Sequence, residues 1–256
     1  MTPHDYVLSL LADGERIASI GSSSLDARVP SCPEWELADL LAHVGWVHRM
    51  LGYLAALPDG SRANQNDSAE LRQILASMRA LERPQGDLVA WFRQGAQGLA
   101  ELLGDAAPTK TIHTYLGSHQ PWLLARRAAT ETAIHRWDAE GVSGTPTPLP
   151  PDLAADAIDE FLDVIVPPFF KFADFAGTGQ VVRLESTEAD NVWLIMVTGD
   201  TTEWARHSAV TTAADVSACG TLSDLYLSLW GRPTVERLGV EGDASLLARW
   251  FAACAF

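Results

Sequence analysis

The spacing of apolar residues changes along this 256-residue chain at Pro167-Pro168, and that change constrains what it can fold into. Before it, apolar residues recur every three or four positions, as on one face of a helix. After it they alternate with polar ones, as on a half-buried strand. Val7, Leu10, Leu11 and Ile17 mark a helix over about 3–20. Ser31-Cys32-Pro33-Glu34 fits a capping box, with Ser31 as N-cap, Glu34 at the third helical position and Pro33 tolerated in the first turn. The helix expected to follow, about 33–57, carries Leu37, Leu40, Leu41, Val44, Val47, Leu51 and Leu54. A helix apolar over so wide an arc packs against several neighbours, as in a bundle.

Further helices are predicted at about 69–82, 87–103, 121–140 and 151–165. Gly104 and Gly141 close two of them, Pro121 opens the one that Gly141 closes, and the stretch TPTPLPPD precedes the last. Residues 105–120 have no clear period. Val181–Ser186 and Val192–Thr198 read as strands, with a third within 208–218 and helices at about 221–230 and 243–254. The expected fold class is therefore an all-helical N-terminal domain, 1–168, followed by a smaller α+β domain, 169–256. A chain of this length builds cores that need no disulfide to hold them.

Charge narrows the partners. Asp plus Glu number 33 against 18 Lys plus Arg, a net charge of −15, and the densest basic pair is Arg126-Arg127. Nucleic acid and anionic membrane are thus poor partners. Cys32, Cys219 and Cys254 are far apart, without a C-x-x-C, so no thiolate zinc site is indicated. No basic segment precedes an apolar stretch and no apolar run approaches membrane-spanning length, which makes a cytoplasmic protein the expectation. Absence of G-x-S-x-G, a P-loop and G-x-G-x-x-G counts against hydrolase, NTPase and dinucleotide-binding readings.

The most informative local feature is Glu131-Thr132-Ala133-Ile134-His135. A carboxylate and an imidazole one helical turn apart share a face and can coordinate one divalent cation, yet the same spacing occurs often as a surface ion pair. A third ligand must come from elsewhere. His43 and His48 stand out because both lie in the strongly apolar second helix, His43 at the edge of its apolar arc and His48 within it. A lone helical histidine is more often a core residue than a ligand, and the pattern alone does not choose between the two. Trp35, Trp46, Trp91, Trp122 and Trp137 read as packing residues.

The segment VPSCPEWELADLLAH ending at His43, with ETAIHRWDA from Glu131 and CGTLSDLYLSLWGR ending at Arg232, resembles the mycothiol-dependent maleylpyruvate isomerase family. The family's pattern has Cys-Pro-Gly-Trp where this chain has Cys-Pro-Glu-Trp. The resemblance implies a DinB-like four-helix bundle joined to a sterol carrier protein-like α+β domain. It also implies one divalent metal held by His43, Glu131 and His135, with His43 preferred over His48 because it occupies the matching position. Zinc suits two imidazoles and a carboxylate and leaves a coordination position open; nickel or iron would also fit. The implied cosubstrate is a low-molecular-weight thiol, mycothiol, alongside a small-molecule substrate. A metal stabilises a thiolate, which adds to an activated alkene or displaces a leaving group. The expected activity is thus isomerase or transferase. The alternatives are a thiol-independent Lewis-acid isomerase, cyclase or hydrolase of a specialised metabolite, and a non-catalytic small-molecule binding or resistance protein.

Two further residues are candidates for catalytic roles. Arg232 could bind a substrate carboxylate or simply satisfy helix-end carbonyls. Asp138, one turn beyond His135, could orient that imidazole or pair with a nearby arginine. The C-terminal domain, whose only histidine is His207, is expected to shape or close the pocket while the bundle holds the metal.

Overall fold

Thr2 starts the first helix. Its Oγ1 accepts from the Asp5 amide at 3.3 Å while Asp5 Oδ2 accepts from the Thr2 amide at 2.7 Å, and Pro3 occupies the first turn, so α1 runs Pro3–Ser24. The computed structural model describes residues 1–64, 66, 68–105, 109–114, 117–170, 177–199, 201–208 and 213–254. Ser68 caps α3 (Ala69–Arg79) and Asp87 caps α4 (Leu88–Gly104), through bonds from the Leu71 and Ala90 amides. Helix α2 spans Leu37–Ala56 and α5 spans Pro121–Gly141. Helices α1, α2, α4 and α5 pack on one another as a four-helix bundle, with α3 against α2. Its core includes Ile17, Leu37, Leu40, Leu41, Val44 and Phe92. Two hairpins decorate it: β1 (Arg28–Val29) with β2 (Cys32–Glu36), and β3 (Ile112–Thr114) with β4 (Gly117–His119). The second lies in the stretch that showed no period.

The capping box expected at Ser31–Glu34 does not form, and α2 starts at Leu37 rather than near 33. Cys32–Glu36 is extended, paired with β1, and Glu36 takes the N-cap position, its amide donating to Asp39 Oδ2 at 3.0 Å. The Ser31 hydroxyl is instead 2.5 Å from Asp138 Oδ1, and the Arg28 guanidinium donates to the Glu34 carbonyl at 3.2 Å. Tertiary partners outcompete the local cap.

The chain divides into two compact units, Met1–Thr147 and Pro148–Phe256. Helix α6 (Pro151–Glu160) therefore falls in the second unit, whereas its helical period alone had grouped it with the bundle, with the boundary at 168. Packing decides this. Leu153, Ala154, Ala157 and Ile158 are buried, α6 packs on α8 (Leu222–Leu229), and Asp159 accepts from Trp193 Nε1 at 2.7 Å. A single π-helical turn, Phe161–Ile165, leads into α7 (Val166–Phe169), where Pro167 and Pro168 have no amide to bond the preceding turn.

The second unit holds a five-stranded sheet of order β7-β6-β5-β8-β9, from β5 (Gly177–Ser186), β6 (Val192–Gly199), β7 (Thr201–His207), β8 (Val216–Gly220) and β9 (Gly239–Gly242). Neighbours are antiparallel except β5 and β8, which run parallel with Val182 opposite Val216. Val182, Leu184, Trp193, Ile195, Val197, Val216 and Ala218 form its buried side, with α9 (Ala244–Cys254) packed on β8. The third strand, expected within 208–218, is β8; positions 209–212 of that range lie outside the described residues. Edge strands β7 and β9 carry no buried apolar alternation and were invisible to periodicity. Among the described residues no helix is long and apolar enough to cross a membrane.

Candidate active site

Helix α5 carries the site because it is buried nearly along its whole length, polar residues included. Alanines at 125, 128, 129, 133 and 139 let neighbouring helices approach closely. Arg127, Glu131, His135 and Asp138, spaced by one turn or nearly so, form a stripe along one face. Helix α2 brings His43 to that stripe. His43 Nε2 lies 3.3 Å and His135 Nε2 3.4 Å from the same oxygen, Glu131 Oε1. One donor atom from each of the three residues lies within 4.8 Å of the others, and among the described residues this is the sole cluster of that kind.

The two members on α5 are held from behind. His135 Nδ1 is 2.9 Å from Asp138 Oδ2, and Asp138, fully buried, receives the Ser31 hydroxyl on its other oxygen. The Arg127 guanidinium donates to Glu131 Oε2. With Nδ1–H donating to Asp138, the Nε2 of a neutral His135 would face Glu131 Oε1 as an acceptor. Two acceptors at 3.4 Å call for positive charge between them, a proton or a cation. Trp35, on β2, roofs the group: its ring centroid is 5.0 Å from that of His43 and 6.1 Å from that of His135, nearly parallel to the latter.

His48 is not in this group. It is fully buried against Phe92, and its Nε2 lies 2.9 Å from Thr132 Oγ1. That hydroxyl donates to the Ala128 carbonyl, so the imidazole is the donor, and Nδ1 has no partner among the described residues. Burial above all, followed by the electrostatic influence of Arg49, His135 and His43, pushes its pKa down to about 3, which makes it a neutral core residue. No cysteine belongs to the cluster, and burial raises the thiol pKa of both Cys219 and Cys254. Arg232 lies in the second unit just past α8, where its guanidinium donates to the Trp230 carbonyl at 2.9 Å.

Sequence reasoning missed Ser31, Arg127 and Trp35 as parts of this site. Arg127 had a readable signal, the i, i+4 spacing to Glu131. Ser31 and Trp35 had none beyond lying in the segment that precedes His43, because a hairpin of this kind is placed by its partners.

A helical bundle presenting two imidazoles and a carboxylate on facing helices, joined to an α+β unit, defines a class of two-domain proteins with a candidate metal centre in the bundle. Residues 14–140 match the mycothiol maleylpyruvate isomerase N-terminal domain family and residues 152–249 match the corresponding C-terminal domain family. The chain belongs to this family of enzymes. Two crystal structures of the mycothiol-dependent maleylpyruvate isomerase, one of a mutant, are similar in fold. The mutant aligns with TM-score 0.59 at 14% identity, over 94% of this chain and 93% of that one. The other aligns with TM-score 0.58 at 14% identity, over 91% of both chains. No curated protein sequence matches.

Proposed function

We propose that the chain is a metal-dependent enzyme that uses mycothiol to isomerise, or to conjugate, a small electrophilic substrate. The observation that carries this reading is the approach of His43 Nε2 and His135 Nε2 to the one oxygen Glu131 Oε1, with the far nitrogen of His135, Nδ1, against the Asp138 carboxylate. Two imidazoles and a carboxylate suit zinc, and three protein ligands leave a position for a further group. A bound cation there would favour the thiolate over the thiol of a cosubstrate and polarise an electrophile beside it.

The chain's own residues then have separable tasks. Asp138 keeps the His135 proton on Nδ1. Trp35 covers one side of the group with an aromatic face, which limits water and offers a flat surface to an unsaturated substrate. Arg232 is proposed to bind a substrate carboxylate, and Arg232→Gln should then raise KM more than it lowers kcat. In isomerisation the thiolate sulfur adds to one alkene carbon, leaving a single bond free to rotate. Expulsion of the same sulfur restores the double bond in the other geometry, so the thiol is unchanged overall. Family membership and the fold shared with the isomerase support this choice over the other thiol reactions.

The test combines metal analysis of the purified protein with turnover of maleylpyruvate, the substrate named for the matched enzyme. Expected are one equivalent of metal, its loss in His135→Ala, and turnover only with added mycothiol. Metal content unchanged in His135→Ala would sink the site. Turnover without thiol would instead favour Lewis-acid chemistry, and substrate returned unchanged under all conditions would favour a binding protein.

A further inference from the structure

Each ligand candidate on α5 is gripped by a side chain that takes no place in the cluster itself. Glu131 has two carboxylate oxygens, and only Oε1 faces the histidines; Oε2 is taken by Arg127, one turn earlier on the same helix. Both side chains are largely buried, with 17% and 10% of their surface exposed, so this ion pair is poorly screened. A carboxylate with both oxygens free can bind a cation through either or both. One whose second oxygen is occupied by a guanidinium presents a single ligand atom.

His135 is gripped differently. Ser31 sits between β1 and β2, 107 residues away in sequence, and its hydroxyl donates to Asp138 Oδ1 at 2.5 Å while Oδ2 holds His135 Nδ1 at 2.9 Å. The same hairpin carries Trp35. The Ser31 bond thus fixes the Asp138 carboxylate plane and the hairpin at once.

We infer that Arg127 and Ser31 are positioning residues for the metal centre: Arg127 restricts Glu131 to one ligand oxygen and so keeps a coordination position open, and Ser31 orients His135 through Asp138. The inference rests on the metal reading above. Its consequence is chemical, because a bidentate Glu131 would fill the position that an incoming thiol needs.

Cobalt(II) is the probe, since the intensity of its visible d–d absorption falls as coordination number rises, independently of turnover. Full-length wild type, Arg127→Met, Arg127→Lys, Ser31→Ala and Ser31→Thr are titrated with cobalt, and affinities are measured by competition with a chromophoric chelator. Wild type is expected to take up one equivalent with the intense spectrum of a low-coordinate site. Arg127→Met should lose about half or more of that intensity while still binding one equivalent, and Arg127→Lys should restore it. Ser31→Ala should bind cobalt and zinc several-fold more weakly, below the roughly 10–100-fold expected for losing a group that touches a ligand directly. Ser31→Thr should recover wild-type affinity. Cobalt-loaded Arg127→Met with a wild-type spectrum, or Ser31→Ala with wild-type affinity, would overturn the inference and leave the metal site standing. No uptake by wild type would overturn the metal reading itself. If Arg127→Met does not fold, Arg127→Gln replaces it, and a wild-type spectrum there counts the same way.

Discussion

His48 offers a quantitative test of the bundle that needs neither metal nor substrate. Its ring is fully buried between α2 and α5, beside Phe92, and the charged or titratable groups that face it are Arg49, His43 and His135. Desolvation above all lowers its pKa from 6.5 to about 3. The unfolded chain takes up the proton as pH drops below 6.5, whereas the folded chain resists protonation until about 3. The stability that His48 confers by staying neutral is therefore complete above pH 6.5 and is lost between 6.5 and about 3. The slope in that window is one proton, about 1.4 kcal/mol per pH unit, so about 3 kcal/mol is gone two units below the unfolded value. His48→Gln keeps a donor for Thr132 and cannot titrate. Urea unfolding of both proteins from pH 7.5 to 4.5, with chelator present, isolates the term, because every other titrating group is shared. The stability advantage of wild type should shrink by about 3 kcal/mol over the acidic part of that range. A difference that stays constant with pH would refute the burial argument.

Asp138→Asn should weaken zinc binding by about 10–100-fold, about 1.4–2.7 kcal/mol, because the amide no longer holds the Nδ1 proton of His135 with a charge; competition titration measures it. Saturating zinc at about 100 times its Kd should stabilise wild type by about 2.7 kcal/mol in chemical unfolding. Chelator should reverse that gain, and His135→Ala should show none of it. Gly45→Ala would place a Cβ 2.2 Å from the Trp91 ring, which the Arg49 guanidinium covers at 3.5 Å, so it should destabilise the bundle by about 1–3 kcal/mol and lower the thermal midpoint. An unchanged midpoint would mean that α2 and α4 can part at little cost.

Much of the architecture was legible because it rests on near-neighbour physics. The spacing of Leu37, Leu40, Leu41 and Val44 reports one face of a helix wherever that helix ends up, and Pro121 and Gly104 mark helix ends by what their backbones can adopt. Glu131 and His135 share a face for the same reason, and the structure has them 3.4 Å apart. What spacing could not do was choose between His43 and His48. They are five residues apart on one helix, and only the rotation of α2 against α5 sends one toward Glu131 and the other into the core beside Thr132. Resemblance to the family, rather than the pattern, made that choice.

The remaining differences have a common cause. Ser31 reads as a helix cap from its neighbours, yet Asp138, 107 residues on, takes its hydroxyl, and a strand forms where a first turn was expected. Helix α6 has the period of the bundle helices, yet its apolar face is buried in the second unit, against α8. Strands β7 and β9 exist because β6 and β8 present free edges, not because of any alternation of their own. The sequence by itself determined the helices, the change to strands and the one-turn pairing on α5, since each depends on dihedral preference and period within a dozen residues. Tertiary structure decided which histidine joins Glu131, where Ser31 bonds and where the units divide, since each pits a local hydrogen bond or face against a distant partner that buries it better.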